Sequence, residues 1–333
     1  MNKVGRRGDE RERAMAKAEY VGIDVSGDSL EVAAFLGGDA FTVDYDNRGL
    51  EKLTKRLKRL KPLRIVVEGS GGLEVPLVGH LGDAGLPVIV VNPRQARDFA
   101  KATGELAKTD RIDARVLAHF GEAVKPELRP LPDKKTRAMA ELVARRRQLI
   151  EMVVAEQNRA RRLITDEVCQ AIAEHVEYLK RQVAEIDGEL REQVKDDPAW
   201  TEDLAILESA PGVGSTTAFA LRALLPELGS LNGRKITKLV GVAPLNDDTG
   251  KRKGKRSIWG GRADVRQVLY MAALVASRHN PAISVFYQRL VGKGKAKKVA
   301  IVACMRKLLV TLNAMIRSRT AWDPVLAARV FDA

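Results

Sequence analysis

The sequence predicts an α/β domain first, then a long helical connector, then a mostly α-helical C-terminal domain. Three observations carry this. Short apolar runs broken by Gly/Asp turns fill the stretch from Tyr20 to Tyr45, strand and helix signals alternate from there to Phe120, and helical spacing dominates beyond Pro132.

Tyr20 to Val25 is apolar until Asp24, as a buried strand would be. Ser26-Gly27-Asp28 turns the chain into a second strand, Leu30 to Leu36, and Gly37-Gly38-Asp39 turns it into a third, Phe41 to Tyr45. Tight turns between short strands predict an antiparallel meander. Leu50, Leu53, Leu57 and Leu60 then repeat at helical spacing behind a cap at Asn47. Arg64 to Glu68 is a strand closing in an acid beside Gly69-Ser70-Gly71-Gly72. A helix from about Leu73 to Ala84 leads to the strand Val88 to Val91, and Asn92-Pro93 opens another helix by the cap-plus-proline rule. A meander followed by strand–helix alternation gives a mixed sheet covered by helices, in the order of an RNase H-like core. A dinucleotide-binding fold would instead begin strand–helix–strand with a phosphate-binding glycine turn.

The proline-punctuated stretch Pro126 to Pro132 links this domain to a helical run ending near Lys195. Ile172, Val176, Leu179, Val183, Ile186 and Leu190 form a coiled-coil seam. A break near Thr165-Asp166 leaves two arrangements open: an antiparallel hairpin within the chain, or pairing with another subunit. Arg145, Arg146, Arg147, Arg159, Arg161 and Arg162 stud the first half of the run, as a solvated face or as a nucleic-acid-facing one. After Asp197-Pro198, Ser209-Ala210-Pro211-Gly212-Val213-Gly214 sits between apolar helical stretches like the turn of a helix-hairpin-helix. Backbone N–H groups at Gly212 and Gly214 would suit a phosphate, and a plain helix–helix turn is the alternative. The expected domains are a charged tail over 1–18, the α/β domain over 19–125, linker and coiled-coil helices over 126–200, and a C-terminal domain over 201–333.

Composition narrows the function. Of 333 residues, 57 are Lys or Arg and 43 are Asp or Glu, a formal charge of +14 that points to a polyanionic partner. No apolar run is expected to span a bilayer and no signal peptide is visible, so the expected location is cytoplasmic, away from membranes. Two isolated cysteines, Cys169 and Cys304, fit a reducing compartment and make neither a disulfide framework nor a zinc site. Aromatics at 5% argue against base stacking as the main mode of binding.

The stretch Lys108 to Ala114 carries Asp110 and Asp113, three residues apart on one face of a helix capped by Thr109. Alone, these acids serve as well to offset a helix dipole as to grip a cation. Asp24 and Glu68 at strand ends add weight to the cation, because burying a carboxylate is costly without compensation. In the predicted fold the first and fourth strands are neighbours and a later helix leans over them, which brings Asp24, Glu68, Asp110 and Asp113 together. Four acids without Cys or His favour Mg²⁺ or Mn²⁺.

Gly22 to Ser26, Val67 to Gly71 and Lys108 to Ala114 resemble the DEDD signature of a bacterial insertion-sequence transposase family. That family is related to the Piv invertase and includes bridge-RNA-guided recombinases. Ser209 to Gly214, Leu239 to Pro244, Gly254 to Arg262 and Val302 to Lys307 are similar to its C-terminal transposase domain, so the likeness runs nearly from Tyr20 onward. The resemblance implies a RuvC-like domain, a coiled-coil connector, and a C-terminal hydroxyl nucleophile that forms a covalent link to DNA. The family uses a serine before a glycine after the Gly-Val-Ala-Pro block; Thr249 stands at that position here. Its β-methyl hinders approach and stiffens χ1. Three readings stay open: Thr249 works, the protein is impaired, or Ser257 substitutes. A bare turn at Asp248-Thr249-Gly250, closed by a side-chain hydrogen bond, needs none of them. Lys251, Arg252, Lys253, Lys255, Arg256 and Arg262 flank the hydroxyl as candidate DNA-binding cations, unless the loop is simply solvated.

The expected function is a transposase or DNA recombinase that excises and inserts a mobile element. The resemblance further implies a structured bridge RNA that selects double-stranded target and donor DNA, a dimeric to tetrameric assembly, and catalytic sites shared between subunits. The alternatives are a RuvC-like metal-dependent endonuclease using water, and a catalytically impaired nucleic-acid-binding homologue. An actin-like sugar kinase shares the early Gly-x-Asp strand but lacks a second phosphate loop.

Overall fold

The structure is a computed structural model that describes residues 20–35, 37–129, 131–162, 164–250, 252–254 and 256–325. The charged tail expected over 1–18, and the side-chain roles assigned to Lys251 and Lys255, lie outside them. The chain divides into two compact units between Leu131 and Pro132. The helical connector is therefore part of the second unit.

The first unit is built on a five-stranded sheet of β1 (Tyr20–Val25), β2 (Ser29–Ala34), β3 (Gly37–Asp44), β4 (Arg64–Glu68) and β5 (Val88–Val91). Its spatial order is β3-β2-β1-β4-β5. The meander β1-β2-β3 is antiparallel and β4 and β5 run parallel to β1, a mixed sheet compatible with an RNase H-like core. Helices α1 (Asn47–Leu60), α2 (Glu74–Asp83), α3 (Pro93–Ala102) and α4 (Asp110–Val124) complete the unit. The leucine stripe of α1 packs with Leu77 and Leu81 of α2 against Ile23, Leu30 and Ile65. On the opposite face Val66 and Val91 meet Ala96, Leu117 and Phe120 of α3 and α4.

The second unit begins with α5 (Lys134–Ala160) and α6 (Asp166–Val194). These pack on each other as an antiparallel hairpin, with Arg146 on Asp187 near the base and Glu156 beside His175 near the tip. Val176, Leu179 and Val183 of the expected seam bury against Leu149 and Val153 of α5, which selects the hairpin arrangement within the chain. Then follow α7 (Pro198–Glu208), α8 (Ser215–Leu224), α9 (Gly233–Val240), the short strands β6 (Asp248–Thr249) and β7 (Arg252–Lys253), α10 (Ala263–His279), α11 (Pro281–Gly292) and α12 (Lys297–Ser318). Against expectation, α12 is long and apolar enough to cross a bilayer by length and composition. Its apolar side instead fills the core of this unit through Ile301, Cys304, Met305, Leu308 and Leu312.

Candidate functional site

The carboxylates of the first unit are placed by packing around one glycine. Residues two apart on a strand share a face, so Gly22 and Asp24 of β1 point the same way. A Cβ at Gly22 would collide with Ala114 O and Ala118 N, and one at Gly121 would collide with Val66 and press on Tyr20. Helix α4 thus lies directly on β1 and runs against it, its N-terminus at the end of the strand that carries Asp24. The parallel register pairs Ile23 with Val67, which sets Glu68 beside Asp24. Val66 packs against α4, and Glu68, two residues on, faces the same side. Thr109 caps α4, its side chain accepting from Ile112 N, and puts Asp110 and Asp113 in the first turn.

The four acids share one field. Asp24 is pushed up to about 6, first by burial and then by the charges of Asp113 and Asp110. Glu68 is raised by burial and then by Asp24 and Asp113. Burial also raises Asp113, with Asp110 adding to it, while Lys108 and Arg97 act in the opposite sense. Among the described residues, no three Asp, Glu, His or Cys side chains are gathered tightly enough to hold a metal ion as they stand. The donor set nevertheless fits a hard divalent cation: it is all oxygen, and its mutual repulsion is what such a cation relieves. Neighbouring Glu74 is occupied differently, accepting from Ser70 N and Gly72 N and so ordering the glycine-rich loop after β4.

Gly22, Gly121 and Arg97 escaped the reading of the sequence. A glycine inside a strand of large apolar residues, answered by small residues at Ala114 and Ala118, was the available signal for a close backbone approach. Nothing comparable marks Arg97.

In the second unit Thr249 sits at the end of a β-hairpin. Thr249 pairs with Arg252 and Asp248 with Lys253, and Leu245 N donates to Ser257 O at 2.8 Å at the open end. Asp248 accepts from Gly254 N, and a Cβ at Gly254 would collide with Asp247 O. The side-chain hydrogen bond of a turn is therefore present, but it belongs to Asp248 and leaves Thr249 exposed. Ser257 is also exposed, at the opposite end of the hairpin.

The cations around it divide. Arg256 is exposed, and Arg252 and Lys253 form β7. Arg262 is occupied by the fold: its guanidinium makes two 2.6 Å bonds to Glu227 and one of 2.9 Å to Leu224 O. Arg146 is likewise held by Asp187, and Arg147 by Asp264 and Glu151, whereas Arg161 and Arg162 are exposed. Ser209 to Gly214 forms the turn between α7 and α8. Gly212, at φ 99°, lies against Ala276, while Gly214 is exposed as the N-cap of α8 with no side-chain cap. Of the two glycines, Gly214 presents the open helix N-terminus.

A family model for DEDD transposases of the IS110 kind matches residues 21–168, the stretch holding all four carboxylates. A second, described as the transposase IS116/IS110/IS902 family, matches residues 204–288, which include the Thr249 hairpin. The chain belongs to the IS110 family of transposases. Among relatives, the pilin gene-inverting protein of Moraxella bovis is 27% identical over 316 residues, 91% of this chain and 97% of that one. The transposase for insertion sequence element IS1111A of Coxiella burnetii is 22% identical over 311 residues, 81% of each chain. A 44.8 kDa protein of insertion element IS116 from Streptomyces clavuligerus is 27% identical over 201 residues, 59% of this chain and 47% of that one. The IS110-family assignment thus extends over both units.

Proposed function

We propose that this IS110-family protein is a DNA recombinase that moves an insertion sequence, with its metal site in the first unit and its nucleophile in the second. The observation that carries the reading is the mutual charge of Asp24, Glu68, Asp110 and Asp113 around the end of β1. Structural acids are arranged to avoid such repulsion, and functional ones tolerate it. Mg²⁺ or Mn²⁺ held by these four would polarise a scissile phosphate and stabilise charge on the attacking and leaving oxygens. The Thr249 hydroxyl attacks phosphorus: the Oγ1–P bond forms, the bond to the 3′ oxygen breaks, the threonine proton is released, and the departing oxygen takes one up. One phosphodiester link replaces another, so strand exchange needs no nucleotide energy source. Exposed Arg256 supports the reading by offering charge for the DNA backbone. Guidance by a structured RNA and assembly into a dimer or tetramer complete the proposal, supported by the family and the net positive charge.

The test is covalent trapping on DNA carrying the element's own ends. A protein–DNA adduct that survives denaturation, requires Mg²⁺ or Mn²⁺ and disappears in Thr249→Ala is expected. Cleavage undiminished by Thr249→Ala rejects the nucleophile. It would favour the endonuclease reading, which the confinement of all four carboxylates to one unit also suits. Sequencing the copurifying RNA tests guidance: one discrete structured species is expected, and a random mixture argues against it.

A further inference from the structure

Arg97 combines two features found at no other described residue beside the carboxylates. On α3, its Nη2 donates to Leu106 O at 3.4 Å, so it ties the helix to the loop that delivers Lys108, Thr109 and Asp110. Its Nη1 is buried without a hydrogen-bond partner. An orphaned buried donor is costly to leave unmade, and a guanidinium has five donors in a rigid fork suited to carboxylate. The helix is firmly seated, with Ala96 and Ala100 buried on either side of Arg97 and Asn92 capping its first turn. The backbone that carries the guanidinium is therefore fixed in place. The charge of Arg97 acts on Glu68 and Asp113, two of the four carboxylates.

We propose that Arg97 is a positioning residue of the carboxylate site: its idle Nη1 donates to Glu68 or Asp113 when these close on a divalent cation, while Nη2 holds the Leu106 loop. This rests on the metal-site reading above and extends it to a residue outside the four proposed ligands. Partners outside the ligand sphere fix the orientation of ligand carboxylates and typically set metal affinity by about 10- to 100-fold.

The experiment is Mn²⁺ titration of the full-length protein without nucleic acid, reading free Mn²⁺ by electron paramagnetic resonance, with metal-free melting as the folding control. Arg97→Gln is expected to weaken Mn²⁺ binding about 10- to 100-fold. Arg97→Lys keeps the charge but lacks the planar fork whose separated nitrogens reach the Leu106 loop and a carboxylate together, so it should recover only part of that affinity while remaining folded. Lys108→Gln, which removes an exposed cation from the same field, should have a smaller effect than Arg97→Gln. Unchanged or tighter Mn²⁺ binding by Arg97→Gln overturns the proposal, tighter binding being what mere relief of charge repulsion would give. Complete recovery by Arg97→Lys overturns it too, because charge alone then suffices. Asp113→Asn separates the two readings. If it binds Mn²⁺ like the wild type, the metal site itself is wrong and Arg97 falls with it; if it loses Mn²⁺ while Arg97→Gln does not, only the role of Arg97 fails.

Discussion

The two candidate reactive groups are held in opposite ways. Asp24, Glu68, Asp110 and Asp113 project from a strand, its parallel neighbour and a helix pressed directly on them, with no space for a methyl group at Gly22. Thr249 stands on a ladder of two residue pairs, exposed at the end of a hairpin. Tight packing places charges against their own repulsion. A hydroxyl that meets a large polymeric substrate needs access first, and its support lies behind it. There a Cβ at Gly241 would strike Gly260, one at Gly261 would strike Gly241, and Arg266 donates to Val240 O at 3.1 Å.

If that contrast is right, substitutions in the two places fail differently. Thr249→Ala should erase the covalent adduct while shifting stability by no more than about 0.5 kcal/mol, as exposed substitutions do. Thr249→Ser should form the adduct at least as fast as the wild type, since it removes only the β-methyl. A slower adduct would show that the methyl is part of the site. Gly22→Ala should do the reverse, lowering the stability of the first unit by about 3 kcal/mol through forced displacement of α4. Urea denaturation should show the transition of that unit moving while that of the second unit stays.

The next effect is smaller. Arg262→Ala leaves Glu227 half-enclosed without its partner and should destabilise the second unit by about 1–3 kcal/mol. A loss of DNA binding with unchanged melting would contradict the occupation of Arg262 by the fold. Asp24→Asn tests the field around the carboxylates. Folding raises Asp24 from 3.8 to about 6, so the native state favours the protonated acid. That contribution to stability is full below about pH 4 and is lost as pH rises through 6. The variant should therefore melt like the wild type near pH 4 and above it at pH 7, by about 1–2 kcal/mol after allowance for solvent screening. Added Mn²⁺ should stabilise only the wild type, and a gap that does not change with pH would refute the shared field. Smallest of all, Arg256→Ala should leave melting unchanged and reduce the salt slope of DNA binding by about one.

Much of the metal-site proposal was legible in the sequence. An acid closing an apolar strand is anomalous by itself, and Asp24 and Glu68 each show it. Thr109 announces a helix start, which puts Asp110 and Asp113 on one turn, and the α6 seam at Val176, Leu179 and Val183 buries as its spacing requires. Cations were harder. Arg262 and Arg256 look alike in a basic run, yet one is joined to Glu227, 35 residues earlier, and the other is exposed. In α12, composition and length alone suit a bilayer, and only its packing partners place its apolar side in the core of the second unit.

The sequence by itself determined the order of strands and helices and singled out the four acids as candidates, because periodicity, capping and residue chemistry are local; Thr249 became a candidate only through the resemblance to the transposase family. Only the tertiary structure decided that β4 lies parallel to β1 in the register that sets Glu68 beside Asp24, and that α4 rests on Gly22. It alone showed which arginines are already occupied and that Arg97 keeps one donor idle. Those outcomes depend on contacts between residues far apart in the chain, and no local pattern encodes the distance at which two elements come to rest.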